Sequence, residues 1–127
     1  MSLVVAKQIT KTFNKIPAIS KLDINIKKGK ITGLVGPDGA GKTTLIRLMT
    51  GLLDANSGEL KVLDYSLPKD ADKIQSKIGY MPQKFGLYED LSVLENLTLY
   101  ANLQSIPKNE QKKKNQRIIR VYQFKKI

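Results

Sequence analysis

The residues best suited to chemistry in this chain form a glycine-rich run in which glycine, lysine and threonine recur at fixed spacing. The run is Gly36, Pro37, Asp38, Gly39, Ala40, Gly41, Lys42 and Thr43, followed by Thr44. Its pattern, G-x-x-x-x-G-K-[ST], is typical of a loop that wraps the phosphates of a nucleoside triphosphate. Glycines let such a loop curl with its N–H groups pointing at an anion. We therefore predict a phosphate-binding loop, the alternative being a glycine-rich turn that matches by accident.

The side chains of this loop have distinct predicted roles. A helix beginning at Lys42 would add its positive end to the anion site. The Lys42 ammonium can reach the β- and γ-phosphates, and the Thr43 hydroxyl suits a hard cation such as Mg²⁺. Asp38 is awkward, because a carboxylate repels phosphate. We expect its side chain to turn away and cap the loop.

The flanking sequence predicts the strand–loop–helix context that such a loop requires. Ile31–Val35 is a short, mostly apolar run typical of a strand covered on both faces. Lys42–Thr50 carries apolar residues at helical spacing, and Gly51 follows as a helix stop. Upstream, the apolar run Leu3–Ile9 and the alternating run Leu22–Ile26 predict two further strands.

Beyond the loop the sequence has both strand patterns and helix patterns, which indicates an α/β chain. Glu59–Leu63 predicts a strand, and Ile74 with Ile78 predicts a helix that ends near Gly79. Ser92 and Glu95 form a capping-box signature. It opens a helix predicted to place four apolar residues on one side, Leu94, Leu97, Tyr100 and Ala101.

Composition sets limits on the kind of protein. The net charge is +11, but residues 108–127 hold eight of the 22 basic groups and one of the 11 acidic groups. The excess charge therefore belongs to the tail, and we expect no nucleic-acid partner. The 127 residues contain no cysteine, no apolar run long enough to span a bilayer and no secretory signal at the start. We expect a soluble chain in a reducing compartment.

Three segments together resemble a known family. Thr10–Phe13, the glycine-rich loop and Gly79–Gln83 stand in the order and spacing found in ABC-transporter ATPases. Except for its last dozen or so residues, the chain resembles the N-terminal half of such a protein. The match is closest to bacterial multidrug exporters of the ABC-2 type, in which Asp replaces the more usual Asn at position 38.

This resemblance implies a partial P-loop NTPase fold. N-terminal antiparallel strands, the phosphate-loop strand and helix and the start of the helical subdomain would be present, and the C-terminal half of the core would be missing. It also implies ATP and Mg²⁺ as cofactors. Phe13 would stack on adenine, although it could be an ordinary core aromatic. Gln83 would contact Mg²⁺ or the attacking water, although it could be an exposed loop amide.

The resemblance further implies partners and a location. Phe85–Leu91 would contact a membrane-embedded permease subunit through Phe85, Leu87, Tyr88 and Leu91, residues that could equally be core. A second ATPase subunit would complete a dimer. The chain would then be cytoplasmic and peripheral on the inner face of the cell membrane.

Several family motifs are not found in these residues. The signature Ser-Gly-Gly loop, the Walker B Asp and Glu and the switch His have no counterpart, and the sequence contains no histidine. We therefore expect a truncated, hydrolysis-incompetent fragment with bare apolar surface at the phosphate-loop strand. Two alternatives remain, a nucleotide-binding or partner-binding module without turnover and a basic nucleic-acid-binding fragment.

The tail predicts a boundary within the chain. Residues 1–111 would form the truncated nucleotide-binding domain, and residues 112–127 a basic tail unlike the family. Back-translated with A/T-rich codons of our choice and shifted by one nucleotide, residues 114–126 encode Lys-Ile-Arg-Glu-Leu-Leu-Glu-Phe-Thr-Asn-Leu-Lys, the Leu-rich helix that the resemblance would place there. Lys112–Lys114 would be a string of adenines, so we hypothesise a frameshift. The alternative is a natural short protein whose tail has one apolar face, marked by Ile118, Val121 and Tyr122.

Overall fold

The computed structural model describes residues 1–84 and 86–121. By their internal contacts they divide into two compact units, Met1–Tyr80 and a second unit that begins at Met81. Phe85, Tyr122 and the rest of the predicted tail from residue 122 lie outside the described residues.

The first unit is built on a four-stranded antiparallel sheet. Its strands are β1 (Ser2–Phe13), β2 (Ile16–Lys27), β3 (Ser57–Val62) and β4 (Tyr65–Leu67), in the order β2-β1-β3-β4. The alternating apolar residues decide the register. Val4 pairs with Ile26 on one side and with Val62 on the other. Because side chains alternate across a strand, these residues gather on one face of the sheet.

Two tight turns connect these strands. Asn14 and Lys15, between β1 and β2, both have positive φ, as do Leu63 and Asp64 between β3 and β4. Positive φ at both central residues produces a twist that matches antiparallel strands. The first turn lies between the two predicted runs, Leu3–Ile9 and Leu22–Ile26, whereas β4 was not predicted.

Helix α1 (Lys42–Met49) covers the core of this unit. Its buried residues, Leu45 and Leu48, pack into a cluster completed by Val4, Ala6, Ile9, Ile19, Leu60, Val62 and Ile74. Burying a leucine side chain contributes about 1.5–3 kcal/mol, so this packing fixes α1 on the sheet. Ile74 comes from helix α2 (Ala71–Gln75), which ends before Ile78 and is shorter than predicted.

The segment before the phosphate loop differs from its prediction. Ile31–Val35 is not a strand, and Ile31 and Val35 are almost fully exposed. A strand needs a neighbour to satisfy its backbone groups, and no described strand pairs with this segment. The expectation of bare apolar surface at this position is confirmed.

The second unit contains two helices, α3 (Val93–Leu103) and α4 (Lys108–Val121). The predicted capping box is confirmed, since Glu95 N donates to Ser92 Oγ and Ser92 N donates to Glu95 Oε2. The prediction of an apolar face on α3 is only partly confirmed. Ala101 is buried, whereas Leu94 and Tyr100 are exposed. Helix α4 packs on α3.

Helix α4 runs through the predicted boundary between residues 111 and 112. A Lys114–Glu110 ion pair of 3.3 Å also links the two sides of that boundary. Among the helices that the structure describes, none has the length and apolar character needed to cross a bilayer.

Candidate phosphate-binding site

Gly41 determines how the glycine-rich loop enters α1. It is the N-cap residue and has a left-handed backbone, with φ 90° and ψ 8°. A Cβ at this position would lie 2.5 Å from the Ala18 carbonyl oxygen of β2. Glycine is therefore required for the backbone conformation and for the close approach of the loop to β2.

The start of α1 is open to an anion. Gly41 provides no side-chain cap, and the first turn contains no acidic residue. In the described part of the chain, no acceptor is bonded to the N–H groups of Lys42, Thr43 and Thr44. Unpaired N–H groups at the positive end of a helix form an anion site. The loop therefore fits a phosphate group, and the exposed Thr43 hydroxyl is accessible to a cation.

The Lys42 ammonium lies within the loop. Its Nζ donates to the carbonyl oxygens of Gly36 and Pro37 at 2.6 and 2.5 Å. The ion pairs of the described residues, Lys73–Asp70 and Lys114–Glu110, do not involve it. Lys42 thus closes the loop onto the start of α1 while its charge is not neutralised by a carboxylate. Phosphate oxygens can compete for this ammonium, because charge-assisted hydrogen bonds are stronger than those to neutral carbonyls.

Asp38 lies exposed in the turn of the loop. None of the hydrogen bonds within the described residues involves its carboxylate, so nothing there supports the predicted capping role. The backbone supplies the closure instead, since Ala40 N donates to the Pro37 carbonyl at 3.3 Å.

Phe13 lies at the end of β1, where it pairs with Ile16 of β2. Phe13 is 46% exposed, so it is not part of the core formed by the described residues. Ala18, which Gly41 approaches, is two residues along β2 from Ile16. Two strand residues span about 7 Å, so the structure brings Phe13 and the loop to the same end of the β1–β2 hairpin.

A cleft of about 140 Å³ lies beside the loop. It is lined by Ile19, Leu22, Leu34, Val35, Ala40, Gly41, Lys42 and Leu45. The cleft is mainly apolar because six of these eight residues have apolar side chains. No described strand pairs with the segment that contains Leu34 and Val35.

Gln83 belongs to the second unit, where it is exposed in a bend that follows Pro82. The segment after it was predicted to contact a permease. Leu87 and Tyr88 are 52% and 58% exposed, so these two residues are not buried by the described part of the chain. Leu91 is half-buried.

Asn96 organises the segment 86–91, a role that was not predicted from the sequence. It is 6% exposed, and its Oδ1 accepts from Tyr88 N at 2.9 Å. Its Nδ2 donates to the carbonyls of Tyr88, Leu91 and Ser92 at 3.0–3.1 Å. Tyr100 adds a hydrogen bond from its hydroxyl to the Gly86 carbonyl. The available signal was a lone amide in a leucine-rich helix, which does not identify its partners.

The capping box beside Asn96 also has an electrostatic consequence. The Ser92 hydroxyl, together with the Ser92 backbone N–H, holds the pKa of Glu95 below its ordinary value. Hydrogen bonds to a carboxylate favour its charged form, which here faces the positive end of α3.

Within residues 1–84 and 86–121, no group of three or more His, Cys, Asp or Glu side chains could hold a metal ion.

Comparison with protein-family models matches residues 19–126 to the family described as ABC transporter. Among curated proteins, the chain is 56% identical over 90 residues to the probable multidrug ABC transporter ATP-binding protein YbhF of Escherichia coli. That alignment covers 71% of this chain and 16% of YbhF. The linearmycin resistance ATP-binding protein LnrL of Bacillus subtilis is 36% identical over 109 residues, which cover 86% of this chain and 35% of LnrL.

Solved structures give a consistent result. The ATP-binding cassette MJ0796, in a dimeric post-hydrolysis state bound to ADP and Pi, matches with a TM-score of 0.81 at 26% identity. The match covers 97% of this chain and 58% of that chain. The predicted partial P-loop NTPase fold is thereby confirmed. The chain spans little more than half the length of this structure and far less of YbhF.

Proposed function

This chain belongs to the ABC transporter family, and on that basis we propose that it is the ATP-binding portion of an ATPase that energises multidrug or ABC-2-type export. The family match over residues 19–126 and the similarity to a probable multidrug protein support the proposal. The observation that carries it is the open start of α1 behind a left-handed Gly41, with the Lys42 ammonium beside it.

In this proposal the loop Gly36–Thr44 holds the triphosphate. The N–H groups at the start of α1 donate to phosphate oxygens, and Lys42 exchanges its two carbonyl partners for phosphate. Thr43 provides an oxygen ligand for Mg²⁺, whose charge neutralises the phosphates when Mg·ATP is bound. Phe13 provides an exposed aromatic face for the base.

The remaining contacts follow from the same proposal. Gln83 provides a neutral amide oxygen to Mg²⁺ or water. The exposed Leu87 and Tyr88 contact a membrane-embedded permease subunit, and a second ATPase subunit completes a dimer. The protein then acts in the cytoplasm, peripheral to the inner face of the cell membrane.

We further propose that these 127 residues, taken alone, do not hydrolyse ATP. Phosphoryl transfer to water requires an oriented water and compensation of the developing charge. The sequence contains no histidine and no counterpart of the Asp and catalytic Glu that the family places after its later strand. These residues can therefore hold the nucleotide but provide no general base.

Binding and turnover of Mg·ATP by the purified chain test both statements. We expect weak binding by isothermal titration, lost in Lys42→Ala and kept in Lys61→Ala, an exposed lysine of β3. Phosphate release should not exceed that of Lys42→Ala. Equal binding by Lys42→Ala would contradict the role of the loop, and robust turnover would contradict the proposed loss of hydrolysis.

A further inference from the structure

Lys11 lies over the aromatic ring at the end of β1. Its Nζ is 5.3 Å from the centroid of the Phe13 ring. The two residues are two positions apart on one strand, and the contact shows that their side chains lie on the same side of it. The ion pairs of the described residues do not include Lys11. An ammonium within about 6 Å of an aromatic face is attracted by the ring quadrupole.

The position of this pair connects it to the phosphate loop. Phe13 of β1 pairs with Ile16 of β2, and Gly41 packs against Ala18, which also belongs to β2. An aromatic ring has two faces, and the ammonium of Lys11 covers one of them. Phe13 is 46% exposed, which leaves aromatic surface accessible to a planar group beside the loop.

We propose that Lys11 is a positioning residue for the nucleotide base. It holds the Phe13 ring in one orientation, so that the base stacks on the face that Lys11 leaves free. This inference rests on the proposed function. The ligand part that it serves is a purine ring, whose wide π surface gains most from an ordered aromatic platform. The phosphates are held separately by the loop, so Lys11 contributes to ATP affinity but not to the affinity for phosphate alone.

The contact itself is tested in the free chain by NMR. The ε-methylene protons of Lys11 should be shifted upfield by the ring current of Phe13, and this shift should disappear in Phe13→Leu. An unshifted Lys11 methylene in the wild-type chain overturns the proposal before any ligand is added.

Two ligands then separate the base from the phosphates, Mg·ATP and Mg·tripolyphosphate. Lys11→Ala should weaken Mg·ATP binding about two- to five-fold, the range expected for an exposed cation–π contact, and leave Mg·tripolyphosphate unchanged. In a Phe13→Leu background, Lys11→Ala should have no further effect. Lys7→Ala, an exposed lysine on the same strand, is the matched control and should change neither ligand.

The outcomes distinguish this inference from the function on which it rests. Equal weakening of both ligands would show that Lys11 acts as a phosphate-directed charge and would overturn the positioning role. An unchanged Mg·ATP affinity would overturn it as well. If neither ligand binds the wild-type chain, the proposed function fails, and the positioning role fails with it.

Discussion

Three glycines of one loop should respond very differently to the same substitution. Gly36→Ala, Gly39→Ala and Gly41→Ala each add one methyl group to the phosphate loop. A Cβ on Gly36 would make ordinary contacts, 3.6 Å from the Ala40 Cβ. Gly39 has φ +80° with open space around it, whereas Gly41 has φ +90° and a Cβ position 2.5 Å from the Ala18 carbonyl oxygen.

The expected costs follow from these geometries. A left-handed backbone costs a residue with a Cβ about 1–2 kcal/mol. Removing a glycine recovers about 0.4–1 kcal/mol through the unfolded state. Gly39→Ala should therefore destabilise by about 1 kcal/mol, and Gly36→Ala should be neutral or slightly stabilising. Gly41→Ala adds the clash with β2, for which overpacking costs of about 1–3 kcal/mol apply, giving about 2–4 kcal/mol in total.

Hydrogen exchange measured by mass spectrometry on peptides from α1 and β2 gives the opening free energy of the first unit. The same peptides report all three variants, so the comparison does not depend on the stability of the second unit. The expected order of destabilisation is Gly41→Ala, then Gly39→Ala, then Gly36→Ala. A neutral Gly41→Ala, or a Gly36→Ala as damaging as Gly41→Ala, would refute the loop geometry.

Three further predictions concern the second unit and the tail. The pKa of Glu95 is lowered in the folded chain, so its contribution to α3 is present above the pKa of the unfolded state and is lost as pH falls through the folded value. Glu95→Gln should abolish that part of the pH dependence in a circular dichroism titration, and an unchanged profile would argue against the capping box. Asn96→Ala removes the hydrogen bonds of a buried amide to Tyr88, Leu91 and Ser92 and should destabilise the segment 86–91 by about 2 kcal/mol or more. Chymotrypsin should then cleave faster after Leu87 and Tyr88, whereas unchanged cleavage would contradict the role of Asn96. For the tail, DNA downstream of the Lys112–Lys114 run should encode a signature loop in another frame, and its absence from both other frames would end the frameshift hypothesis.

Features fixed by neighbouring residues could be predicted from the sequence. The capping box of Ser92 and Glu95 is local chemistry between residues three apart, and the structure contains it. The turn at Asn14 lies where the apolar pattern breaks, and the helix after the loop begins at Lys42 as its motif requires. In each case the residues that make the structure are close together in the chain.

Features that depend on distant residues could not be predicted. Ile31–Val35 has strand composition, but pairing requires a neighbour that the described residues do not supply. The Asn96 side chain bonds to a loop up to eight residues away, which no periodic pattern reveals. The approach of Gly41 to Ala18 likewise joins two parts of the chain that only the folded sheet brings together.

Amide chemical shifts of the 15N-labelled chain, titrated with Mg·ATP, test the central claim most directly. The loop is proposed to hold phosphate through the N–H groups of Lys42, Thr43 and Thr44 at the start of α1. These three amides should therefore show the largest shifts, and Lys42→Ala should reduce them. Shifts concentrated at Lys112–Lys114, with those three amides unmoved, would show that the nucleotide is attracted by the basic tail and would contradict a phosphate site at the loop.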